Sequence, residues 1–392
     1  VVVMRRMPDA RRLSLLTSRG DEARPCIDRL AELMARFHAG APTGGEIDDA
    51  ATRDAVARLW ERELAEYPAA VPNVAHLVGR FLAGRAPLFD DRIRAGRARD
   101  GHGDLLADDV FCLADGPRVL DCLEFDERLR FGDVLADISF LAMDLERLGR
   151  RDLAERFLER SRAAASDDWP SSLAHFYIAY RAHVRAKIAA IAGDDDTSGS
   201  LLALAHDHLD RGRVRLVLVG GPPATGKTTV AREIAAATGW PVIRSDEVRK
   251  DLAGVMQSDR SAAPLDEGLY APEWTERTYA TLCERARIVL TNGSSIVLDA
   301  SWGSGQWRAM AADAAEETAS DLIALQCDAP IDVAMARAAQ REAAHADASD
   351  ADASIAAAAA ARFERWPGAH RLDTTKAPAD VMREVLLEVG QI

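Results

Sequence analysis

Cysteine is scarce in this chain and poorly placed for joint work. Five cysteines (Cys26, Cys112, Cys122, Cys283 and Cys327) are scattered over 392 residues with no C-x-x-C pair. An odd, dispersed set argues against a disulfide framework and against a zinc site. Cys112 and Cys122 stand on either side of an expected hairpin turn, where small apolar packing is the expected role. No stretch approaches the roughly 18–20 apolar residues that cross a bilayer. The opening VVVMRRMPDARR places its apolar residues ahead of its basic ones, the reverse of a signal peptide. The expectation is therefore a protein of the reducing cytoplasm with no membrane partner. Long basic tracts are also missing, and 49 Lys and Arg against 63 Asp and Glu leave a net charge of −14. That balance argues against an extended nucleic-acid surface and leaves room for a small, locally basic acceptor site.

What is present is concentrated in Arg213–Thr229, reading RVRLVLVGGPPATGKTT. The nearly continuous apolar run from Val214 to Val219 predicts a buried parallel strand. It breaks at Gly220-Gly221 and passes through Pro222, Pro223, Ala224, Thr225 and Gly226 to Lys227, Thr228 and Thr229. From Gly221 the spacing is G-x-x-x-x-G-K-T, a phosphate-binding loop that follows a strand and precedes the alanine-rich helix VAREIAAATG. Glycines let successive backbone N–H groups turn inward, and the helix adds its positive end, so this stretch suits the phosphates of ATP. Lys227 is placed for the β- and γ-phosphates and the Thr228 hydroxyl for Mg2+.

The length suggests two or three domains. Amphipathic patterns predict helices over 24–37, 48–66, 72–83, 133–145, 151–165 and 173–191. Val1–Met4 reads as a strand, and Arg92, Arg94, Arg97 and Arg99 as a solvated helix end. Val110–Leu113, the turn Ala114-Asp115-Gly116-Pro117 and the run 118–125 predict a hairpin. The polar segment Gly193–Ser200 suits a junction between a domain at 1–195 and one at 212–392, with a helix over 201–210 bridging them. Further on, strands at 240–244, 295–298, 322–326 and 370–373 alternate with helices at 272–290, 329–364 (interrupted by HADASDADAS) and 378–389. That rhythm predicts an α/β domain with a parallel sheet and helices on both faces.

Three more features suit phosphoryl transfer. Asp246, in Ser245-Asp246-Glu247-Val248-Arg249, follows the second strand, where a carboxylate can take the proton of an attacking hydroxyl while Arg249 orients the acceptor. A helix N-cap is the alternative role for Asp246. Asp299 ends the third strand, placed to help hold Mg2+ directly or through water, with a strand-terminating turn residue as the alternative role. Arg337 and Arg341 share a helix face and are candidates for a lid over the transferring phosphoryl group, or for solvated surface arginines. Together these residues resemble the small P-loop kinases grouped with polynucleotide kinase, zeta toxins, chloramphenicol phosphotransferase and gluconate kinase, over about residues 213–390. The resemblance implies Asp246 as the acceptor-activating base, Lys227 and Thr228 for phosphate and Mg2+, and Arg337 and Arg341 as lid arginines.

In the first half, His102-Gly103-Asp104-Leu105, then Asp121-Cys122-Leu123-Glu124-Phe125, then Asp137-Ile138-Ser139-Phe140 resembles the aminoglycoside-phosphotransferase branch of kinase-like folds. The resemblance implies a mostly helical large lobe with Asp104 as base, and Asp109 with Asp121 or Glu124 as metal carboxylates. Leu106 departs from the family's second histidine, and Asp109 stands where Asn is usual. Residues 1–100 lack the glycine-rich loop and strand-borne lysine of the nucleotide-holding small lobe. The order of the two halves resembles bifunctional aminoglycoside phosphotransferase/ATP-binding proteins of the P-loop AAA-family type. The expected activity is transfer of the γ-phosphoryl of ATP to a small hydroxyl-bearing acceptor. A nucleotide-dependent regulatory module and a nucleic-acid end kinase are the alternatives. Acceptor and oligomeric state stay open.

Overall fold

A computed structural model describes residues 6–67, 73–256, 268–344 and 353–390; for Asp21 and residues 341–344 and 353–357 it describes the backbone alone. Val1–Met4 and most of HADASDADAS fall outside these residues. The chain divides into two compact units, Val1–Gly212 and Arg213–Ile392. The helix over Asp195–Arg211 is not a bridge. It is capped by the Asp194 side chain, which accepts from Thr197 N, and packs along Ser171–Ile191 within the first unit. The polar residues read as a junction are its first turns, because a capping Asp and acidic residues suit a helix N-terminus.

The first unit is helical, with two small two-stranded antiparallel sheets. Arg24–Gly40 packs on Arg151–Ala165, and Val134–Arg147 is buried along most of its length. The expected 48–66 helix is two helices, Glu46–Ala50 and Arg53–Glu66, because Thr52 caps the second through Ala55 N. Strand β1 (Ala98–Asp100) pairs with β4 (Phe131–Asp133), and β2 (Val110–Leu113) with β3 (Gly116–Val119). The β2–β3 turn is Ala114-Asp115, one register tighter than the sequence suggests, and the return strand stops at Val119. Two further expectations fail here. Arg92 is not solvated; it is buried and forks onto Asp133 at 2.7 Å while also reaching Asp167. Cys112, expected as small apolar packing in a chain without disulfides, pairs with Cys26 in a disulfide, and Cys122 is free.

The second unit is a five-stranded parallel sheet in the order β6-β7-β5-β8-β9, with β5 (Arg215–Gly220) central and β6 (Val242–Arg244), β7 (Ile296–Asp299), β8 (Asp321–Asp328) and β9 (His370–Asp373) around it. Every residue of β5 is buried. Alternation sends Leu216 and Leu218 to one face, where they meet Val248, Leu282 and Leu290 of the helices Ser245–Ala253 and Pro272–Thr291. Val217 and Val219 go to the other face, with Val230, Ile234 and Val385 of Lys227–Thr238 and Pro378–Glu388. Burial on both faces explains the unbroken apolar run of β5. Among the described residues no helix is long and apolar enough to cross a membrane.

Candidate phosphoryl-transfer site

The parallel register puts the carboxyl ends of β5, β6, β7 and β8 along one rim, the usual ligand edge of such sheets. Val219 lies beside Asp299, which lies beside Arg244, and Gly220 lies beside Gln326. Past this rim the chain must turn sharply under close cover. A Cβ on Gly220 would come 2.4 Å from the Trp366 ring, and one on Gly221 would come 2.4 Å from the Cys327 carbonyl oxygen. Gly221, Ala224 and Gly226 all have positive φ, at 133°, 66° and 93°. A positive φ at an alanine costs energy, so the surroundings hold the loop in its curled form. Such a curl ahead of the Lys227–Thr238 helix suits an anion cradle, and the cover behind Gly220 and Gly221 leaves no room for a side chain there.

The side chains of the loop are tied together. Pro222 O accepts from Thr225 Oγ1 at 2.8 Å and from Lys227 Nζ at 2.9 Å. Thr228 Oγ1 donates to Asp299 Oδ2 at 2.7 Å, and the buried Asp299 also faces Arg244 Nε at 3.4 Å. Asp246 is the second residue of its helix rather than the N-cap, which is Arg244 with no side-chain bond. The capping alternative is thereby removed. Burial pushes the Asp246 carboxyl above the ordinary carboxylate range; Arg249 pulls against this and Asp299 adds to it. Arg249 approaches Asp246 Oδ1 at 3.4 Å and lies 4.6 Å over the Tyr270 ring.

Pro222, Pro223, Ala224, Gly226, Lys227, Thr228 and Thr229 line one cavity of about 910 Å³ together with Asp246, Arg249, Asp299 and Arg337. Gly221 and Thr225 lie behind that wall as buried supports. Arg337 is not a solvated arginine: its Nη2 donates to Thr374 O at 2.9 Å. Arg341 belongs to the same helix, Ile331–Ala344, and its side chain is outside the described residues. The cavity wall also includes Tyr270, Tyr279, Trp307 and Thr374, which no sequence motif flagged. Tyr279 and Trp307 are stacked at 4.8 Å. The DTTKAP turn after β9 was the one local hint of a loop at this rim, and it says nothing of Thr374's contacts.

The donor set suits ATP with Mg2+. Magnesium prefers oxygen ligands and is commonly held by few protein groups plus phosphate. Thr228 and Asp299 supply a hydroxyl and a carboxylate side by side. Among the described residues no three His, Cys, Asp or Glu side chains are gathered to cage a metal by themselves.

In the first unit the Asp137 carboxylate accepts from His102 N at 2.9 Å and Gly103 N at 2.8 Å, and faces His38 Nε2 at 2.8 Å. A Cβ on Gly101 would come 2.8 Å from Asp137 Cγ, so this anchoring depends on glycine. Burial raises the carboxyl of Asp104 and carries Asp109 up to about 6, with Asp121 raising both. Asp104, Asp109 and Asp121 therefore share one locality. Asp121 and Glu124 are both exposed.

A model of the AAA domain family matches residues 216–366. The second unit is a nucleotide-binding P-loop domain of that class. Over 391 residues the chain is 41% identical to the uncharacterized protein Rv2004c of Mycobacterium tuberculosis and to the uncharacterized protein Mb2027c of Mycobacterium bovis, covering 95% of this chain and 78% of each relative. The chain belongs to the family of these mycobacterial proteins. Solved structures similar to it include an unliganded sugar kinase from Janibacter sp. HTCC2649, with a TM-score of 0.35 and 20% identity over 45% of this chain and 95% of that one. Another is a gluconokinase from Sinorhizobium meliloti 1021, with a TM-score of 0.33 and 18% identity over 46% of this chain and 92% of that one.

Proposed function

We propose that this protein is an ATP-dependent kinase that transfers the γ-phosphoryl group to a hydroxyl on a small acceptor at the cavity of the second unit. The observation that carries this reading is Asp246, a carboxylate with a raised pKa on the same cavity as Lys227, Thr228 and Asp299. Lys227 leaves the Pro222 carbonyl for the phosphates, and the loop N–H groups hold them in line. Thr228 and Asp299 present oxygens to Mg2+, which when bound offsets the charge of the triphosphate. Asp246 accepts the acceptor's proton, while Arg249 keeps that carboxylate oriented. Arg337 approaches the transferring group from the side of the Ile331–Ala344 helix.

The test is to incubate the protein with labelled ATP and a fractionated cell extract, and to identify the phosphorylated product by mass. Lys227→Ala should abolish labelling. Asp246→Asn should keep nucleotide binding and lose transfer; full transfer by Asp246→Asn would remove the base from the mechanism.

For the first unit, we infer a kinase-like large lobe, supported by the grip of Asp137 on the backbone of the His102-Gly103-Asp104 loop. Phosphoryl transfer by the second unit does not pass through that loop, so Asp104→Asn should leave labelling of the acceptor unchanged.

A further inference from the structure

Thr374 stands outside every motif, in the turn after β9, yet it touches three parts of the nucleotide site. Its Oγ1 lies 2.7 Å from Thr225 O of the phosphate loop and 3.0 Å from Asp328 O at the end of β8. The Asp328 carbonyl already accepts Thr374 N at 3.0 Å, so the single hydroxyl proton is best placed on the Thr225 carbonyl. That leaves the hydroxyl lone pairs for Arg337, whose Nη1 is 3.3 Å away while its Nη2 holds Thr374 O at 2.9 Å. The methyl side of Thr374 packs against the loop as well: a Cβ on Gly226 would be 3.5 Å from Thr374 Cβ. Beyond Thr225 the chain of bonds continues. Thr225 Oγ1 donates to Pro222 O, and Pro222 O is also where Lys227 Nζ rests.

We propose that Thr374 is a positioning residue that sets the guanidinium of Arg337 relative to the phosphate loop. The inference rests on the kinase reading above and adds to it the device that places the arginine. An arginine on a helix has long, rotatable reach, and holding it at one angle over the loop removes freedom that would otherwise be lost at the moment of transfer. Two bonds from one residue, hydroxyl and carbonyl, make a fork that fits the planar guanidinium. Because the same hydroxyl donates to the loop, the arginine and the loop are located by a common atom.

The proposal predicts a loss in kcat with little change in nucleotide affinity. The full-length protein is assayed for Mg·ATP turnover with water as acceptor, and for Mg·ATP binding by titration calorimetry. Thr374→Val keeps the shape and removes the hydroxyl; Thr374→Ser keeps the hydroxyl. We expect Thr374→Val and Arg337→Ala each to lower kcat about tenfold or more, with the double variant no slower than the worse single one, as for residues acting as a unit. Thr374→Ser should stay within about twofold of wild type, and ATP affinity should change less than about threefold throughout. Thermal unfolding of each variant separates misfolding from mispositioning. Multiplying losses in the double variant, or normal turnover by Thr374→Val beside a slow Arg337→Ala, would overturn the proposal alone. Turnover indifferent to Lys227→Ala would remove the kinase reading, and this inference with it.

Discussion

Thr228 Oγ1 donates its proton to Asp299 Oδ2 at 2.7 Å, joining the first turn of the loop helix to the end of the neighbouring strand β7. On the kinase reading proposed above, changing either partner alters an oxygen ligand of the Mg2+ site. Asp299→Asn and Thr228→Ala should each raise the Mg2+ concentration needed for half-maximal turnover by about tenfold or more, the scale usual for groups that hold or orient a metal. Magnesium titration of ATP turnover measures this. An unchanged requirement in both variants would take Asp299 out of the metal site.

Asp246 must be ionised to accept a proton, and its folded environment holds its pKa above the ordinary carboxylate range, with burial as the main cause. The basic form is therefore lost as pH falls through that raised value, at a pH where a free aspartate, with a pKa of about 3.9, is still charged. kcat should decline on the acidic side earlier than exposed carboxylates alone would allow. Arg249→Gln removes the largest opposing influence and should move that limb to still higher pH. A pH–rate profile of wild type and variant gives the answer.

The phosphate loop was legible because its chemistry is contiguous. Gly221 to Thr228 spell the site within eight positions, and the apolar run before them announces the central strand. Parts built by distant pairs were not legible. Thr374 reaches Thr225 across 149 positions, and Cys26 reaches Cys112 across 86. No period or short motif records such separations. Arg92 misled for the same reason: Arg94, Arg97 and Arg99 nearby in sequence suggest a basic helix end, while its partners Asp133 and Asp167 come from a strand end and a distant loop. The domain boundary was placed early because a helix N-terminus and a linker use the same polar residues.

Asp137 offers a stability test in the first unit. Burial alone would raise its carboxyl, but His38 and the His102 and Gly103 amides outweigh that and bring it to about 2. Because the folded value lies below the unfolded one of about 3.9, the stabilisation is fully present above about pH 4 and is lost as pH falls toward 2. Asp137→Asn should cost roughly 2 kcal/mol at neutral pH, with the gap to wild type closing in acid. Urea unfolding at pH 7 and near pH 3 would show it, and an equal gap at both would contradict the assignment.

Gly221→Ala should be severe despite its small size. The new methyl would meet the Cys327 carbonyl oxygen at 2.4 Å, and a φ of 133° is foreign to alanine. The variant should lose about 1–3 kcal/mol of stability. Its unfolding temperature should also no longer rise on adding Mg·ATP, because the curl that holds phosphate is displaced. Gly239→Ala, where open space surrounds a helix end, is the control that tests positive φ without the clash.

Among the described residues, those lining the cavity fall between Pro222 and Met382, and the five strands of the parallel sheet beneath it are drawn from one stretch of chain, 215–373. In hereditary terms the sheet is portable: a recombination joint at Gly212 would carry all five strands, and the described residues of that cavity, into another gene together.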